Sequence, residues 1–376
     1  MSDSFSIIGR QAAAVRAEPP DAGGLRPSET GGAWLDALWG ERYSRYMGAT
    51  IKDVSAAAGV SVKTVSRVLN KERYVRAETR LRVEAAMASL HFRPSLAARS
   101  LAGGRSFQVA LIWTTPYYVF AVQEGVRARC EEEGVRMIAQ PYGGGSDPGS
   151  GIAGLLDTAA PDGLILTPPV CDNASVLVEL ERRGVPYVRI TPGIDVGRSA
   201  SVFIDNQAAA HAMTARLIEI GHRRIGFVVG HAKYAASAQR LSGYHAALRG
   251  AGIDADPALV EQGLFDFRSG SAAAETLLAL PVPPTAIFAS SDDMAAGVLA
   301  TAHAKGLRVP EQLSIAGFDD TDLASLVWPP LTTIRQPTRD MAYVAADLLF
   351  RGADKTERRE LPFELIERSS TASPAG

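Results

Sequence analysis

The chain has 376 residues, of which 46% are hydrophobic and 21% are charged, and its formal charge is -2. A chain of this length buries a sizeable core and is expected to divide into more than one domain. Its apolar runs stop short of the roughly 18 residues that a membrane-spanning helix needs, and no charged-then-apolar secretory pattern opens the sequence. We therefore expect a cytoplasmic protein without a membrane partner.

The two cysteines, Cys130 and Cys171, lie in apolar contexts without CxxC or Cys/His spacing. This pattern predicts buried free thiols rather than a disulfide or a zinc site. A Walker loop is absent, and no GxGxxG links a strand to a helix. We expect no metal, no cofactor and no enzymatic activity.

Residues 1–47 contain several Pro, Gly and Ala and no sustained period, which predicts a disordered extension or a misassigned start site. A short cluster from Trp34 to Trp39 fits either a frayed turn or a partner-binding helix. The predicted organisation is an extension (1–47), a small helical head (48–92), a hinge (93–105), a two-lobed domain (106–370) and a tail (371–376).

The segment TIKDVSAAAGVSVKTVSRVLN, residues 50–70, contains two helix patterns interrupted at Gly-Val-Ser. Thr50 and Asp53 form a capping-box pattern for the first helix. Gly59 supplies the positive φ of a tight turn, and Ser61 can cap the second helix. Two short helices joined in this way predict a helix-turn-helix, which places its second helix in the DNA major groove.

Charge supports a nucleic-acid reading of this segment. Residues 49–105 contain eleven Lys or Arg and four acidic residues, a net +7, which leaves -9 for the remainder. A basic module on an acidic body indicates contact with a polyanion. The outward residues of the second helix are types that contact base edges and phosphates: Val62, Lys63, Thr64, Ser66, Arg67 and Asn70. A generic helical hairpin with a solvated face is the alternative.

A third helix pattern, Glu78 to Leu90, offers an apolar stripe that closes a small three-helix core. The following RPSLAARSLAGG, residues 93–104, permits two helical turns between Pro94 and Gly103. So short a helix is not stable alone. It is either a flexible linker or, in a dimer, a minor-groove wedge that inserts Leu101 at a base step.

From Phe107 onward, short apolar runs alternate with longer amphipathic stretches. This alternation predicts parallel sheets covered by helices, and the number of units predicts two α/β lobes with a cleft between them. The expected fold class is α/β, with an N-terminal three-helix head. The predicted strands are Val109–Trp113, Gly163–Leu166, Tyr187–Ile190, Ile225–Val229, Ala286–Ala289 and Ser314–Phe318.

From about Ala49 to Ser370, the chain closely resembles the LacI/GalR family of bacterial repressors. The most specific matches are IKDVSAAAGVSVKTVSRVLN, RPSLAARSLAGG, GHRRIGFV, RLSGYHAAL, GFDD and PPLTTIRQ. The resemblance implies a homodimer on double-stranded, near-palindromic operator DNA. Because SSTASPAG at the C-terminus lacks the heptads of the family's tetramers, we expect a dimer.

The resemblance also implies roles for individual head and hinge residues. Base reading in the major groove falls to Val62, Lys63 and Arg67, and we place Ser66 with them. Backbone contact falls to Ser61, Thr64, Asn70 and Tyr74, while Leu101 matches the intercalating leucine and Ala98 its groove-facing neighbour. Arg76 stands where a Ser or Thr often caps the third helix, which puts that cap in doubt.

The two lobes resemble periplasmic sugar-binding proteins, which implies an effector in the cleft. Asp319 and Arg240 match frequent effector contacts, which can hold ligand hydroxyls by charge-assisted hydrogen bonds, and Phe265 matches an aromatic that stacks on the ligand. Further expected cleft residues are Tyr117, Tyr118, Asp205 and Ser291. A charge at Arg189 needs a partner, either the effector or Asp205. Taken without the family, Asp319 would be a helix cap, Arg240 a surface ion pair and Phe265 core.

The resulting hypothesis is a regulator, most often a repressor of carbohydrate genes, whose operator affinity is controlled by a small molecule, expected to be a sugar. A purine stacks on an aromatic platform equally well and is the alternative effector. Whether the ligand releases or promotes DNA binding stays open at this stage. A solute-binding receptor and a cytosolic enzyme are weaker alternatives.

Overall fold

The computed structural model describes residues 49–69, 72, 74–92, 105–114, 116–142 and 148–374, without the side chains of 116–118 and 148–150. The predictions for residues 1–47, for Asn70 and for the hinge residues Ala98 and Leu101 lie outside the described residues. The chain divides between Ser95 and Leu96 into two compact units.

The first unit contains three helices, α1 (Ile51–Ala58), α2 (Val62–Leu69) and α3 (Ala77–Ser89). The capping box is present: the Thr50 amide donates to Asp53 Oδ2 at 2.8 Å, and Thr50 Oγ1 accepts from the Asp53 amide at 3.4 Å. Gly59 has φ 64°, and Ser61 Oγ accepts from the Thr64 amide at 3.2 Å. Each of these local predictions is confirmed.

A small apolar core holds the three helices together. Its fully buried members come from all three: Val54, Ala58, Val65, Val68, Val83 and Ala86. At the start of α3, Arg76 is the N-cap residue and makes no side-chain capping bond. The doubt about that cap is therefore confirmed, and α3 depends on packing for its position.

The second unit contains two six-stranded sheets, one in each lobe. The first lobe holds β1 (Gln108–Trp113), β2 (Arg136–Pro141), β3 (Gly163–Leu166), β4 (Tyr187–Ile190), β5 (Ser201–Phe203) and β11 (Arg358–Glu360), in the order β11-β5-β4-β3-β1-β2. The second lobe holds β6 (Ile225–Val229), β7 (Val260–Gln262), β8 (Ala286–Ala289), β9 (Ser314–Asp319), β10 (Thr332–Arg335) and β12 (Glu364–Ile366), in the order β12-β10-β9-β8-β6-β7. Among these pairs only β10 and β12 run antiparallel.

Helices cover both faces of each sheet. Those of the first lobe are α4 (Pro116–Glu133), α5 (Pro148–Ala159), α6 (Ala174–Arg183) and α12 (Thr338–Arg351); those of the second are α7 (Asn206–Glu219), α8 (Ala235–Gly250), α9 (Phe267–Leu278), α10 (Asp292–Ala304) and α11 (Asp322–Leu326). Successive residues of β1 separate to the two faces, because Val109 and Leu111 join one core cluster while Ala110 and Ile112 join another.

The chain passes between the lobes after β5, after β10 and between β11 and β12. In parallel α/β sheets, ligands bind outside the carboxyl ends of the strands. The fold therefore places the ends of β1, β3 and β4 opposite α8 and the end of β9. Within the described residues no helix combines the length and the apolar character needed to cross a bilayer.

Candidate functional site

The outward face of α2 is polar and accessible, while Val65 and Val68 hold its other face in the core. Ser61, Lys63 and Arg67 are exposed, Val62 is 41% exposed, and Thr64 and Ser66 are half-buried. Tyr74 is 96% exposed. The structure thus brings the predicted groove-facing residues that it describes onto one side of a short helix.

Arg67 has an acidic neighbour. Its Nε lies 3.5 Å from Glu72 Oε2, and both side chains are about half exposed. An exposed ion pair of this kind contributes little free energy. The Arg67 guanidinium can therefore exchange the carboxylate for a base edge or a phosphate at small cost.

A cavity that is partly open to solvent lies where the two lobes face each other. The first lobe contributes an uncharged wall, formed by Trp113, Val119, Thr167, Pro168 and Thr191. The second lobe contributes the polar and charged groups, among them Tyr234, Arg240, Phe265, Ser291, Asp293 and Asp319. Four residues predicted from the sequence, Arg240, Phe265, Ser291 and Asp319, are thereby brought together.

Arg240 is held by several groups of the second lobe. Its Nε donates to Asn206 Oδ1 at 2.9 Å, and its guanidinium carbon lies 3.4 Å from the centroid of the Phe318 ring. Its Nη1 donates to the Ser290 carbonyl and lies 3.7 Å from Asp319 Oδ1. Stacking and two fixed acceptors leave the guanidinium plane with little freedom, so its edge toward the cavity is preorganised.

Asp319 ends β9 with a left-handed backbone, φ 111°, and accepts a hydrogen bond from Gln336 Nε2. Burial raises the pKa of Asp319 to about 6, although the nearby Arg240 guanidinium and the Gln336 amide act in the opposite direction. A non-glycine residue at this φ stores strain that the surrounding structure must support. The strain and the shifted pKa both mark Asp319 as a functional-site candidate.

Two further acids lie close enough to Asp319 to interact with its charge. Asp292 accepts hydrogen bonds from the Thr321 amide at 2.7 Å and from Thr333 Oγ1 at 2.6 Å. Burial, and then the charge of Asp319, raise the pKa of Asp292 well above its ordinary value. Burial also raises the pKa of Asp293, which lines the cavity. The second-lobe wall is therefore acidic around one guanidinium.

Aromatic rings flank this polar wall. Phe265 has φ 64°, and its ring meets that of Tyr234 edge to face with centroids 5.1 Å apart. A Cβ on Gly230 would lie 2.0 Å from the Phe265 ring, so only glycine admits the ring at that place. Ser291 lines the cavity and also caps α10, because its Oγ accepts a hydrogen bond from the Met294 amide at 3.3 Å.

The lobes contact each other beside the cavity. Thr114 Oγ1 lies 3.3 Å from the Tyr234 hydroxyl across the cleft. A Cβ on Gly193 would lie 1.9 Å from the Ala235 Cβ. The first-lobe loop after β4 therefore packs directly on the start of α8.

The predicted pairing of Arg189 with Asp205 is wrong. Arg189 is fully buried, donates to Ser199 Oγ at 3.0 Å and to the Ile194 carbonyl at 2.9 Å, and lies 3.6 Å from Asp172 Oδ1. The loop after β4 folds over the guanidinium and supplies these acceptors. Asp205 instead caps α7, where its Oδ1 accepts from the Ala208 amide at 2.8 Å.

Other predicted cleft residues fall elsewhere. Neither Arg189 nor Asp205 lines the cavity, and Asp205 borders a separate polar pocket with Gln239 and Arg358. The side chains of Tyr117 and Tyr118 lie outside the described residues, although their backbone begins α4. Four residues that line the cavity were not predicted to do so: Trp113, Thr191, Tyr234 and Gln336. Their positions at strand ends and loop tips were the available signal.

Both cysteines are buried free thiols, as predicted. Among the described residues, no group of three or more His, Cys, Asp or Glu side chains has an arrangement that could hold a metal ion.

Comparison with known proteins agrees with both parts of the structure. A family model for bacterial regulatory proteins of the lacI family matches residues 50–95, and one for a periplasmic binding protein-like domain matches residues 214–371. Over 331 residues the chain is 33% identical to the HTH-type transcriptional repressor PurR of Vibrio atlanticus, covering 86% of this chain and 98% of that protein. The PurR of Escherichia coli O139:H28 is 34% identical over 331 residues, with 86% and 97% covered.

Solved structures give the same result. The transcriptional regulator CelR in complex with cellobiose matches with TM-score 0.66 and 32% identity, covering 86% of this chain and 99% of that one. The lac repressor dimer bound to operator and the anti-inducer ONPF matches with TM-score 0.75 and 28% identity, covering 87% and 100%. The fold and the two sites define a helix-turn-helix regulator with a two-lobed ligand-binding domain. The chain belongs to the LacI family and is a DNA-binding transcriptional repressor of that family.

Proposed function

We propose that this repressor acts as a homodimer on a near-palindromic operator and that a neutral sugar in the cavity controls its operator affinity. The observation that carries the effector proposal is the cavity itself, in which Arg240 and Asp319 face an aromatic ring at Phe265. A carboxylate and a guanidinium hold vicinal hydroxyls by charge-assisted hydrogen bonds, and an aromatic face packs on the C–H face of a sugar ring. CelR, a structural neighbour, was solved with cellobiose.

In the proposed complex, α2 lies in the major groove. Val62, Lys63, Ser66 and Arg67 read base edges, and Ser61, Thr64, Asn70 and Tyr74 contact the backbone. The exposure of the described members of this set, and the burial of Val65 and Val68 behind them, support the assignment. The hinge of residues 93–105, with Ala98 and Leu101 in the minor groove, is proposed by resemblance alone.

Ligand control follows from two lobes joined by three crossing segments. A ligand that binds one arrangement of the lobes more tightly shifts the population toward it, and the hinge that follows the head transmits the change. The lac repressor, a structural neighbour, was solved as a dimer on its operator, which supports the dimer here. The chain acts in the cytoplasm, where the chromosome is, and has no catalytic role.

Occupancy of the tagged protein across the host genome tests the proposal. We expect discrete near-palindromic sites beside sugar uptake and glycosidase genes, with occupancy changed by one added sugar. Occupancy without discrete sites under any condition would contradict operator binding.

A purine is the second candidate effector, because the relatives at 33% and 34% identity are PurR repressors and a purine base stacks on Phe265 as well as a sugar does. Calorimetric titration of the purified protein with D-glucose, cellobiose, hypoxanthine and guanine separates the two classes. Heat from a sugar and none from the bases supports the sugar, and the opposite result establishes the purine.

A further inference from the structure

The uncharged wall of the cavity contains two buried polar atoms that lack a hydrogen-bond partner among the described residues. Trp113 Nε1 and Thr191 Oγ1 are both inaccessible to solvent, and neither makes a hydrogen bond to any other group in the described part of the chain. Both residues line the cavity that holds Arg240 and Asp319. Buried indole N–H and hydroxyl groups are almost always hydrogen-bonded, because leaving them unpaired is costly.

The backbone conformation of Thr191 is a second feature typical of functional sites. It follows β4 with φ 49°, a left-handed conformation that is unusual for a β-branched residue. Strained residues of this kind persist where the surroundings hold them for a purpose, as in ligand sites. Thr191 is thus a strained first-lobe residue that lines the same cavity as Trp113.

We propose that Trp113 Nε1 and Thr191 Oγ1 are the first-lobe recognition pair for the effector and that both bond oxygen atoms of a neutral, hydroxylated ring. This inference rests on the proposed ligand control of the cavity and specifies its chemistry. Trp113 can only donate, so the ligand must present an acceptor to it, whereas Thr191 can donate or accept. A sugar hydroxyl satisfies either group.

The charge distribution determines which ligands fit. The first-lobe wall around the pair, including Val119, Thr167 and Pro168, has no charged side chain. A phosphate or carboxylate there would be desolvated without a counter-ion, which is strongly unfavourable. The ligand is therefore neutral on this side, and its hydroxyls on the other side face the acids and the guanidinium of the second lobe.

The pair completes the cleft as a two-sided site. Arg240 and Asp319 both belong to the second lobe, where Arg240 donates to Asn206 and Asp319 accepts from Gln336. A ligand held by these two residues alone would therefore not join the lobes. A ligand that also satisfies Trp113 and Thr191 bonds both lobes at once. Such a ligand stabilises the closed arrangement through its differential contacts.

The first test needs no ligand and compares Thr191→Val with Thr167→Val in the full-length protein. Thr167 lines the same cavity, but its Oγ1 already donates to the Ile112 carbonyl at 3.1 Å. If Thr191 serves the ligand, losing its hydroxyl leaves the thermal midpoint of the unliganded protein unchanged or raised, whereas Thr167→Val lowers it. A midpoint that falls equally in both variants would show a structural role for Thr191 and overturn the inference.

The second test uses D-glucose and cellobiose as probes, with hypoxanthine as the comparison. We expect Trp113→Phe and Thr191→Val each to weaken sugar binding by about three- to tenfold, the value of one neutral hydrogen bond. Thr214→Val is the control, because the Thr214 hydroxyl donates to the Ala210 carbonyl at 2.8 Å within α7 and Thr214 does not line the cavity, so sugar binding should be unchanged. In ¹⁵N-labelled protein, the indole N–H resonance that is missing in Trp113→Phe should move downfield when the sugar binds. A bound sugar that leaves this resonance in place would contradict the assignment.

The two proposals fail in different ways. If neither sugar binds the wild-type protein but it still selects a DNA sequence, the neutral-sugar inference is wrong and the repressor function stands. If a sugar binds with full affinity to both cavity variants, sugar control stands and the recognition pair is wrong.

Discussion

At the scale of single residues, the cavity is governed by one guanidinium among several buried acids. Arg240 lies 3.7 Å from Asp319, and burial holds the pKa of Asp319 at about 6, while burial also raises those of Asp292 and Asp293. Such a cluster of buried charged groups does not stabilise the fold. It keeps charged hydrogen-bonding groups dry and available, at a cost in stability that ligand binding can recover.

Asp319 makes stability depend on pH in a defined direction. Its pKa is about 6 in the folded chain and about 3.9 in an unfolded one, so the folded state binds the proton more tightly. The contribution of Asp319 is present below about pH 4 and is lost as the pH rises through about 6. Between pH 5 and pH 7 the free energy of unfolding of the wild-type protein should fall by on the order of 1 kcal/mol more than that of Asp319→Asn.

Thermal or urea unfolding at the two pH values measures this difference. The exposed Asp254→Asn is the control, and it should follow the wild type. Titrating groups that do not interact with Asp319, such as His222, cancel in the comparison because all three proteins contain them. Asp292 does not cancel, because Asp319→Asn removes the charge that helps to raise its pKa, and the measured difference therefore reports the pair. Equal pH dependence in the wild type and Asp319→Asn would show that the carboxyl is not shifted.

Substitution of Arg67 tests the proposed DNA-binding face of α2. Arg67→Ala should weaken operator binding by about 1–3 kcal/mol and relax specificity at one base position, because a guanidinium reads a base edge with two hydrogen bonds. Arg82→Ala removes an equal charge from the exposed side of α3 and should change affinity less and specificity not at all. Binding to a panel of single-base operator variants measures both effects, and identical profiles for the two proteins would contradict the docking.

At the scale of elements, local chemistry was predictable and long-range placement was not. The strands Gly163–Leu166, Tyr187–Ile190, Ile225–Val229 and Ala286–Ala289 have the predicted bounds, because short apolar runs between helix patterns are typical of buried parallel strands. The short strands β5, β7, β11 and β12 were not predicted, and all of them except β5 lie at a sheet edge. They are only three residues long and depend on a neighbouring strand, so the sequence has no local period to indicate them.

The site shows the same division. Motif resemblance pointed to Arg240, Phe265, Ser291 and Asp319, which meet in the cavity. The partner of Arg189 was mispredicted because its hydrogen-bond acceptors lie on the loop after β4, which folds back over the guanidinium. The nearby carboxylate, Asp172, belongs to a segment distant in sequence. Trp113 and Thr191 were not predicted as cavity residues, because an unpaired buried polar atom can be recognised only from the three-dimensional positions of its neighbours.

The helix-turn-helix offers a test of local capping. Thr50→Ala removes the hydroxyl that caps α1 and should destabilise the head by about 1 kcal/mol, whereas Thr50→Ser keeps the capping oxygen and should cost much less. Hydrogen exchange of the α1 amides in the full-length protein measures the difference. Equal exchange rates in the two variants would mean that packing alone, through Val54 and Ala58, holds α1.

At the scale of the second unit, ligand control requires the lobes to approach closely. Gly193 marks a close approach between the lobes, since an added Cβ would lie 1.9 Å from the Ala235 Cβ. Gly193→Ala should force the lobes apart and weaken effector binding by about ten- to a hundredfold, the effect of 1–3 kcal/mol of overpacking.

Gly197→Ala is the matched control for this change. It lies in the same loop, and an added Cβ there meets no atom within 4 Å among those that the structure describes. Calorimetry with the effector should give wild-type affinity for Gly197→Ala and reduced affinity for Gly193→Ala. Wild-type affinity in both variants would show that the contact between Gly193 and Ala235 does not matter for binding.

At the scale of the whole molecule, we propose that one chain couples a DNA-reading helix to a ligand cavity. The most direct measurement is the affinity of the purified full-length protein for DNA duplexes selected from a random pool, with and without the sugar that binds tightest. We predict one enriched near-palindromic sequence, an affinity that changes by about tenfold or more with the sugar, and no such change in Asp319→Asn. Failure to enrich any sequence, or an enriched sequence whose affinity the bound sugar leaves unchanged, would contradict the account.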